Sequence, residues 1–183
     1  YLLSDRRFAG SDTWATSKIL STFIQSLPYD LIIAGYQAID GDTAQVGPQI
    51  AEFLSLPQVT HLHEVIGLEG EELLVVKQTD YELETLAVTL PALITTRREM
   101  NLPRQMNAFD IWRVDQKTVH MKTFDDLSLS LSDIGLAGSP TKVRKTYTRP
   151  VTSKAEKVEM HPLDAAKKIV DLLYPYMEVK HHG

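Results

Sequence analysis

Hydrophobic side chains in the first part of the chain recur at two periods, one typical of helices and one typical of buried strands. Residues 13–27 place apolar side chains three and four positions apart, which predicts an amphipathic helix that ends at Pro28. The run 31–35 is apolar up to a final glycine, as in strands buried on both faces of a parallel sheet. A second helix is predicted over about 43–55 and a further strand over 59–66. This alternation predicts an α/β fold.

The pattern changes after this point. Residues 71–77 and 83–89 are rich in strand-forming residues and are separated by a short polar turn, which predicts a hairpin rather than a crossover helix. Leu93–Thr95 predicts a strand that returns to the sheet. The periodicity then weakens until a last amphipathic helix that begins near Pro162. The chain therefore divides into three predicted segments, residues 1–96, 97–160 and 161–183.

Composition narrows the possible function classes. The 183 residues carry a net charge of −5, which disfavours sequence-independent binding to nucleic acid. There is no cysteine, so disulfides, cysteine nucleophiles, iron–sulfur clusters and zinc–thiolate sites are excluded on this chain. No apolar run reaches the length of about 18 residues that predicts a membrane span. The opening residues contain no basic region typical of a signal peptide, and we expect a cytoplasmic protein.

The strongest chemical signal is the loop at residues 34–47, which follows the predicted buried strand and leads into a helix. Ligands of parallel α/β sheets bind at the carboxyl ends of strands, and the free N–H groups of a first helical turn favour a phosphate. Asp42 or Thr43 can cap the helix, and three small residues keep the backbone approachable. These small residues are Gly41, Ala44 and Gly47. The loop has neither the Walker nor the G-x-G-x-x-G pattern, and an ordinary strand–loop–helix corner is the alternative interpretation.

Two further features are chemically suggestive. Residues 4–13 form a second strand–loop–helix corner, so two neighbouring corners could flank one nucleotide. Arg6 and Arg7 in this corner could contact a phosphate or form a solvated charge pair. His61 and His63 share one face of a predicted strand, but no third ligand lies nearby, and we predict no metal site.

Several stretches, in the same order along the chain, resemble the small (β) subunit of electron-transfer flavoproteins. Residues 34–42 are similar to the family's Ala-Gly-x-Gln-Ala-Ile-Asp-x-Asp loop. Spaced residues between Lys77 and Thr95 match the β-subunit signature, although Tyr81 departs from it. Further matches are the opening residues 3–13, the Asn-Leu-Pro-Arg run at 101–104 and the segment 133–143.

The resemblance implies a fold and a division of labour. The fold would be a Rossmann-like parallel sheet with helices on both faces, a β-hairpin extension and a C-terminal arm ending in a helix. The arm would embrace the large (α) subunit, which carries the electron-transferring FAD. The opening Tyr1-Leu2-Leu3 would be an internal strand, because family members begin with a strand–helix portion that we expect to be missing here.

The resemblance also implies the cofactor. The β subunit holds AMP in simple electron shuttles and a second FAD in electron-bifurcating members. The Gly-Asp-Thr-Ala-Gln-Val-Gly-Pro run at 41–48 is similar to the bifurcating form, which favours FAD over AMP. Residues implied to hold the phosphate or pyrophosphate end are Ala38, Asp40, Gly41, Asp42, Thr43, Ala44, Gln45, Val46 and Gly47. Residues implied to flank the nucleotide are Asp5, Phe8, Gly10, Asp12 and Thr13.

The implied function is electron bifurcation. NADH would reduce the flavin on this subunit, one electron would pass to a low-potential acceptor such as ferredoxin, and the other would pass through the α subunit to a partner dehydrogenase of the acyl-CoA or 2-hydroxy-acid type. No side chain would act as a covalent catalyst. The recognition loop that docks on the dehydrogenase would include Asn101, Pro103, Arg104, Met106 and Phe109. The alternatives are an AMP-binding shuttle subunit and a nucleotide-binding module without a redox role.

Overall fold

The computed structural model describes residues 1–148 and 157–177. The parts of the predicted arm and terminal helix at 149–156 and 178–183 lie outside the described residues. The chain forms two compact units, Tyr1–Arg144 and the residues from Lys145 onwards. The division into segments 1–96, 97–160 and 161–183 stays a prediction.

In the first unit, two strand–helix pairs are followed by four consecutive strands and then by short elements, and the described part of the second unit contains one helix. The strands are β1 (Leu2–Leu3), β2 (Leu31–Gly35), β3 (Gln58–Glu69), β4 (Glu72–Gln78), β5 (Leu83–Thr89), β6 (Ala92–Thr96) and β7 (Met121–Lys122). The helices are α1 (Thr13–Ile24), α2 (Val46–Leu54), α3 (Ala108–Asp115), α4 (Gly135–Gly138) and α5 (Pro162–Met177). Short 3-10 turns at Arg6–Phe8, Arg98–Met100, Phe124–Asp126 and Leu131–Asp133 connect them.

The main sheet is mixed and has the strand order β2-β6-β3-β4-β5. Strands β2, β6 and β3 are parallel, whereas β4 and β5 follow as antiparallel hairpins. The long β3 first pairs with β6 and then extends beyond it to pair with β4, so the hairpin grows out of the parallel sheet. The predicted α/β class, the hairpin extension and the C-terminal helix are confirmed.

The opening residues form a strand that lies in a separate small sheet. Leu2 pairs with Met121 and Leu3 with Lys122, both in parallel register. This brings the segment around residue 121 back to the start of the chain. No hydrophobic period in the sequence indicates that pairing, because a two-residue strand is too short to show one.

The core of the first unit is arranged around β6, whose residues Ala92, Leu93, Ile94 and Thr95 are all buried. Leu93 packs with Ile50 and Ala51 of α2, and residues of α1 border this cluster. Ile94 belongs to the other cluster, which is built mainly from β3, β4 and β5. Adjacent residues of a strand point to opposite faces, so Leu93 packs against α2 on one face of the sheet and Ile94 packs on the other face.

Both long helices of the first unit are shorter than their hydrophobic pattern predicts. Helix α1 ends at Ile24, and the N–H groups of Ser26 and Leu27 donate to carbonyls of its last turn. Helix α2 begins at Val46 rather than near residue 43, because Asp42 and Ala44 adopt left-handed backbone conformations with φ of 49° and 53°. Among the described residues, no helix is long and apolar enough to cross a membrane.

Candidate functional site

The candidate site is centred on the N-terminus of α2, which follows the carboxyl end of β2. Gln45 occupies the N-cap position, and within the described part of the chain no side chain caps this helix. The first-turn N–H groups of Val46 and Gly47 therefore have no capping side chain, which is the state in which a helix N-terminus can bind an anionic group. Pro48 follows, and it contributes no N–H of its own. That this turn binds a phosphate stays a prediction.

The loop before this helix is held by a few local contacts and is otherwise open. The Asp42 N–H donates to the Ala38 carbonyl at 3.1 Å, and the Gln37 side-chain amide donates to Asp42 Oδ1 at 2.9 Å. Asp40, Gly41 and Thr43 are exposed. Left-handed conformations at Asp42 and Ala44 are uncommon outside glycine, and strain of this kind concentrates where a loop serves a ligand.

Gly47 fixes the distance between α2 and the sheet. A Cβ at this position would lie 2.7 Å from the Thr95 methyl and 3.6 Å from the Ala34 Cβ. Glycine is therefore needed for close packing, whereas a Cβ at Gly41 would meet nothing within 4 Å. The sequence interpretation treated both as residues that clear a path to the backbone, and the structure gives Gly47 a packing role instead.

The second corner leads into α1, and its helix N-terminus is closed rather than open. Asp12 is the N-cap, and its Oδ1 accepts from the Ala15 N–H at 3.1 Å. Asp12 Oδ2 accepts from both the backbone N–H and the hydroxyl of Thr141, at 2.9 and 2.8 Å. Burial acts to raise the pKa of Asp12, but the hydrogen bonds from Thr141 and Ala15 outweigh it and hold that pKa below its ordinary value.

Asp5 and Arg7 of the same corner are engaged with each other and with Asp125. The Arg7 guanidinium contacts Asp5 at 2.6 Å and Asp125 at 2.8 Å, and it lies over the Phe124 ring at 4.4 Å. Hydrogen bonds from the Arg7 side chain and backbone hold the pKa of Asp5 far below its ordinary value. Arg7 is thus paired with two carboxylates of the protein, so it is not simply a solvated charge.

The two corners are neighbours in space. The Thr13 hydroxyl donates to Gln45 Oε1 at 2.9 Å, which joins the first residue of α1 to the N-cap of α2. One turn later, the Ser17 hydroxyl lies 2.9 Å from Gln49 Oε1 and 3.3 Å from the Val46 carbonyl. The predicted side-by-side arrangement of the corners is therefore present. Of the remaining predicted residues, Phe8 and Val46 are half-buried and Gly10 is exposed.

Sequence reasoning missed two groups of residues near the site. Ser139 and Thr141 contact Asp12, although they lie more than a hundred positions away along the chain. At the carboxyl edge of the parallel strands, the Tyr36 and His61 rings pack at 4.9 Å, and His61 has a left-handed φ of 58° beside a break in the β3 register. The Gly-Ser-Pro-Thr run at 138–141 indicates a turn, but the sequence does not indicate that this turn contacts Asp12.

The predicted recognition residues 101–109 precede or lie in α3. Asn107 caps this helix by accepting from the Asp110 N–H at 3.0 Å. Asn101, Pro103 and Arg104 are exposed, as are Met106 and Phe109. Ile111 and Trp112 add to this exposed apolar surface, and the sequence interpretation did not include them.

Two other features lie apart from the corners. A recess of about 270 Å³ at the far end of α1 is lined by Thr22, Gln25, Ser26, Asp126, Leu127 and Ser128. It contains none of the predicted nucleotide residues. In the residues that the structure covers, no three His, Asp or Glu side chains are grouped as a metal site would require.

Comparison with known proteins agrees with this α/β domain. A family model described as "Electron transfer flavoprotein domain" matches residues 1–120. The chain therefore belongs to the electron transfer flavoprotein family, among its β subunits.

Three relatives illustrate the similarity. The electron transfer flavoprotein subunit beta of Clostridium acetobutylicum is 43% identical over 172 residues, which cover 94% of this chain and 66% of the relative. The subunit of the same name from Thermoanaerobacterium thermosaccharolyticum is 46% identical over 159 residues, covering 86% of this chain and 60% of the relative. The caffeyl-CoA reductase-Etf complex subunit CarD of Acetobacterium woodii is 41% identical over 159 residues, again 86% of this chain and 60% of the relative. The chain thus spans about 60 to 66% of the length of these relatives.

Proposed function

We propose that this chain is the nucleotide-binding part of an electron-bifurcating flavoprotein β subunit. In the proposal it binds FAD at the N-terminus of α2. Together with an α subunit, it passes electrons from NADH to a low-potential acceptor such as ferredoxin and to a partner dehydrogenase. The observation that supports the site most directly is the uncapped first turn of α2 next to the open loop 36–45, within the described residues.

The residues present fit a dinucleotide. The N–H groups of Val46 and Gly47 suit a pyrophosphate, because their partial positive charge adds to that of the helix dipole. The resemblance assigns Asp40 and Asp42 to the phosphate end, but we propose that they bind sugar or ribityl hydroxyls, because a carboxylate accepts hydrogen bonds and repels phosphate oxygens. Gln45 offers a side-chain amide whose oxygen already accepts from Thr13. These groups bind and orient the cofactor.

Chemistry in this proposal comes from the flavin, which supplies hydride and single-electron transfer when bound. This chain contributes position, polarity and exclusion of water, and no side chain forms a covalent bond with substrate.

The proposed partner class is based on the names of the relatives. CarD is named as a subunit of a caffeyl-CoA reductase-Etf complex, which supports an acyl-CoA-type dehydrogenase or reductase as partner here. A 2-hydroxy-acid dehydrogenase is the other partner class that we propose.

The test is the cofactor content of the purified complex with its α subunit. Two flavins per heterodimer, measured by absorbance after denaturation, are expected. One flavin with bound AMP would instead identify a simple shuttle, and no flavin would favour a module without a redox role.

Substitution links that cofactor content to the loop. Asp42→Ala removes the contact with Gln37 and a predicted ligand, so about one flavin per heterodimer should be lost. Asp80→Ala is the control, since Asp80 is an exposed carboxylate in the hairpin turn. Equal flavin content in Asp42→Ala and the wild type would show that the cofactor is held elsewhere.

A further inference from the structure

Residues 133–141 are built into the corner that precedes α1, although the two segments are far apart along the chain. The Asp12 N–H donates to the Ser139 hydroxyl at 2.8 Å, and that hydroxyl lies 2.6 Å from the Gly135 carbonyl. The Gly135 N–H in turn donates to the Ser11 hydroxyl at 3.0 Å. Ser139 is buried, with 4% of its surface exposed, so this hydroxyl is an internal junction rather than a surface contact.

Glycines allow the two segments to approach this closely. A Cβ at Gly135 would lie 2.7 Å from the Arg7 carbonyl oxygen, and Gly135 has a φ of +57°. A Cβ at Gly10 would lie 2.7 Å from Leu136, and Gly10 has a φ of +80°. Both positions therefore require glycine for space and for backbone conformation. The ion pair between Lys18 and Asp133, at 2.6 Å, adds a third point of attachment.

Several of these contacts involve Asp12, and its neighbour Thr13 connects it to the candidate site. Thr141 gives Asp12 Oδ2 two hydrogen bonds, while Asp12 Oδ1 caps the first turn of α1. The residue after Asp12 is Thr13, whose hydroxyl donates to Gln45 at the N-cap of α2. A continuous path of hydrogen bonds and one peptide unit thus runs from Thr141 to the proposed phosphate position.

We propose that Thr141 is a positioning residue of the nucleotide site: by holding Asp12, it sets the place of Thr13 and, through Thr13, that of Gln45 and the first turn of α2. The proposal rests on the nucleotide role proposed above for that turn. In this proposal Thr141 acts through Asp12, to which it donates two hydrogen bonds. Because charge-assisted hydrogen bonds to a carboxylate are directional and strong, loss of the hydroxyl removes one of the two bonds that Thr141 gives Asp12 Oδ2 and loosens the path at its start.

The experiment measures the nucleotide affinity of the intact complex for the wild type, for two variants of Thr141 and for one control variant. Apoprotein is prepared, and FAD and AMP are titrated separately by calorimetry. Thr141→Val removes the hydroxyl and should weaken binding of the nucleotide that the wild type prefers by about tenfold, as for a lost hydrogen bond to a charged group. Thr141→Ser keeps the hydroxyl and should restore affinity to near the wild-type value. Thr123→Val is the matched control, because Thr123 donates the same pair of hydrogen bonds to Asp126.

A double-mutant cycle separates positioning from general destabilisation. If Thr141 acts through Thr13, the effect of Thr141→Val on affinity should largely disappear when Thr13→Val is also present, since the path is then already broken. Additive effects of the two substitutions would overturn the proposal, as would equal affinities of Thr141→Val and the wild type. Failure of the wild type to bind either FAD or AMP would contradict the proposed function instead.

Discussion

Gly47 shows how one small residue sets the geometry of the candidate site. It is buried in the first turn of α2 and faces the Thr95 methyl of β6, so the helix start lies directly against the sheet. The adjacent N–H groups are those proposed to bind phosphate. Any side chain at this position must push the helix away from β6 or displace Thr95, whose hydroxyl accepts from the His61 N–H at 3.1 Å. Packing and the proposed binding geometry are therefore coupled at this residue.

We expect Gly47→Ala to destabilise the protein by about 1–3 kcal/mol, the usual cost of adding a methyl group to a packed position. Helix propensity alone would act in the opposite direction, because alanine is the better helix former. The free energy of unfolding is measured by urea titration. Gly41→Ala is the control, and it should change stability little because a Cβ there has open space. Equal effects of the two substitutions would contradict the packing role.

At the level of single residues, the sequence supports the choice of loop but not its internal arrangement. The order of buried strand, small and polar residues, and amphipathic helix is a local pattern, and such a pattern can be recognised in the sequence. The left-handed conformations of Asp42 and Ala44 cannot be predicted in this way, since both residue types adopt right-handed or extended backbone far more often. The missed contact of Thr141 with Asp12 depends on tertiary folding across 129 positions, which no local pattern encodes.

Among the elements, β1 is attached by backbone hydrogen bonds and by the ion pairs that follow it. Its two residues pair with β7, and the Asp5–Arg7–Asp125 cluster joins the next turn to the segment after β7. The Phe124 N–H also donates to Asp5 at 3.1 Å. Side-chain hydrogen bonds from Arg7 lower the pKa of both Asp5 and Asp125 below their ordinary value of 3.8. The attachment of β1 therefore depends on two ionised carboxylates.

The direction of the pH dependence follows from these shifts. A carboxylate whose pKa is lowered by folding stabilises the folded state above its unfolded value, and this stabilisation is lost as the pH falls through the folded value. We expect Arg7→Met to lower the urea midpoint most above about pH 5 and progressively less as the pH is lowered towards 2. Arg6→Met is the control, because Arg6 is an exposed neighbour of the same charge. An Arg7→Met effect that stays constant with pH would contradict the role of the carboxylates.

The element pattern was largely predictable, and its exceptions share one cause. The hairpin β4–β5 and helices α1 and α2 have the periods of 2 or 3.6 that burial on one face imposes, and β2 is a continuous apolar run. Strand β7 and the turns between residues 120 and 138 are too short for a period, and they fold onto the start of the chain through side-chain hydrogen bonds and ion pairs. The missing period is why the sequence suggests an extended arm over residues 97–160, and that division stays a prediction. The residues between 120 and 138 are grouped with the sheet in the unit Tyr1–Arg144.

On the scale of the whole molecule, the described residues leave two kinds of apolar surface exposed. Around α3, Met106 is 86% and Phe109 79% exposed. In α5, which is described here by itself, Leu163 and Leu172 are among the exposed apolar residues. Contiguous exposed apolar residues are uncommon on monomers and mark surfaces that bind partners. A chain that works only in a complex is expected to carry such surfaces, which agrees with the subunit role proposed above.

Substitution of Phe109 tests whether the apolar surface around α3 binds the dehydrogenase. If α3 is the docking element, Phe109 is an anchor of the kind that costs about 2 kcal/mol or more when truncated, which corresponds to roughly 30-fold weaker binding. We expect Phe109→Ala to weaken the affinity of the heterodimer for an acyl-CoA dehydrogenase from the same organism by that factor, measured by surface plasmon resonance, while its flavin content stays unchanged. Leu172→Ala, on α5, is the control for an exposed apolar residue outside the loop. If Leu172→Ala weakens dehydrogenase binding and Phe109→Ala does not, the recognition surface lies on the second unit, and α3 has to be reassigned to contacts with the α subunit.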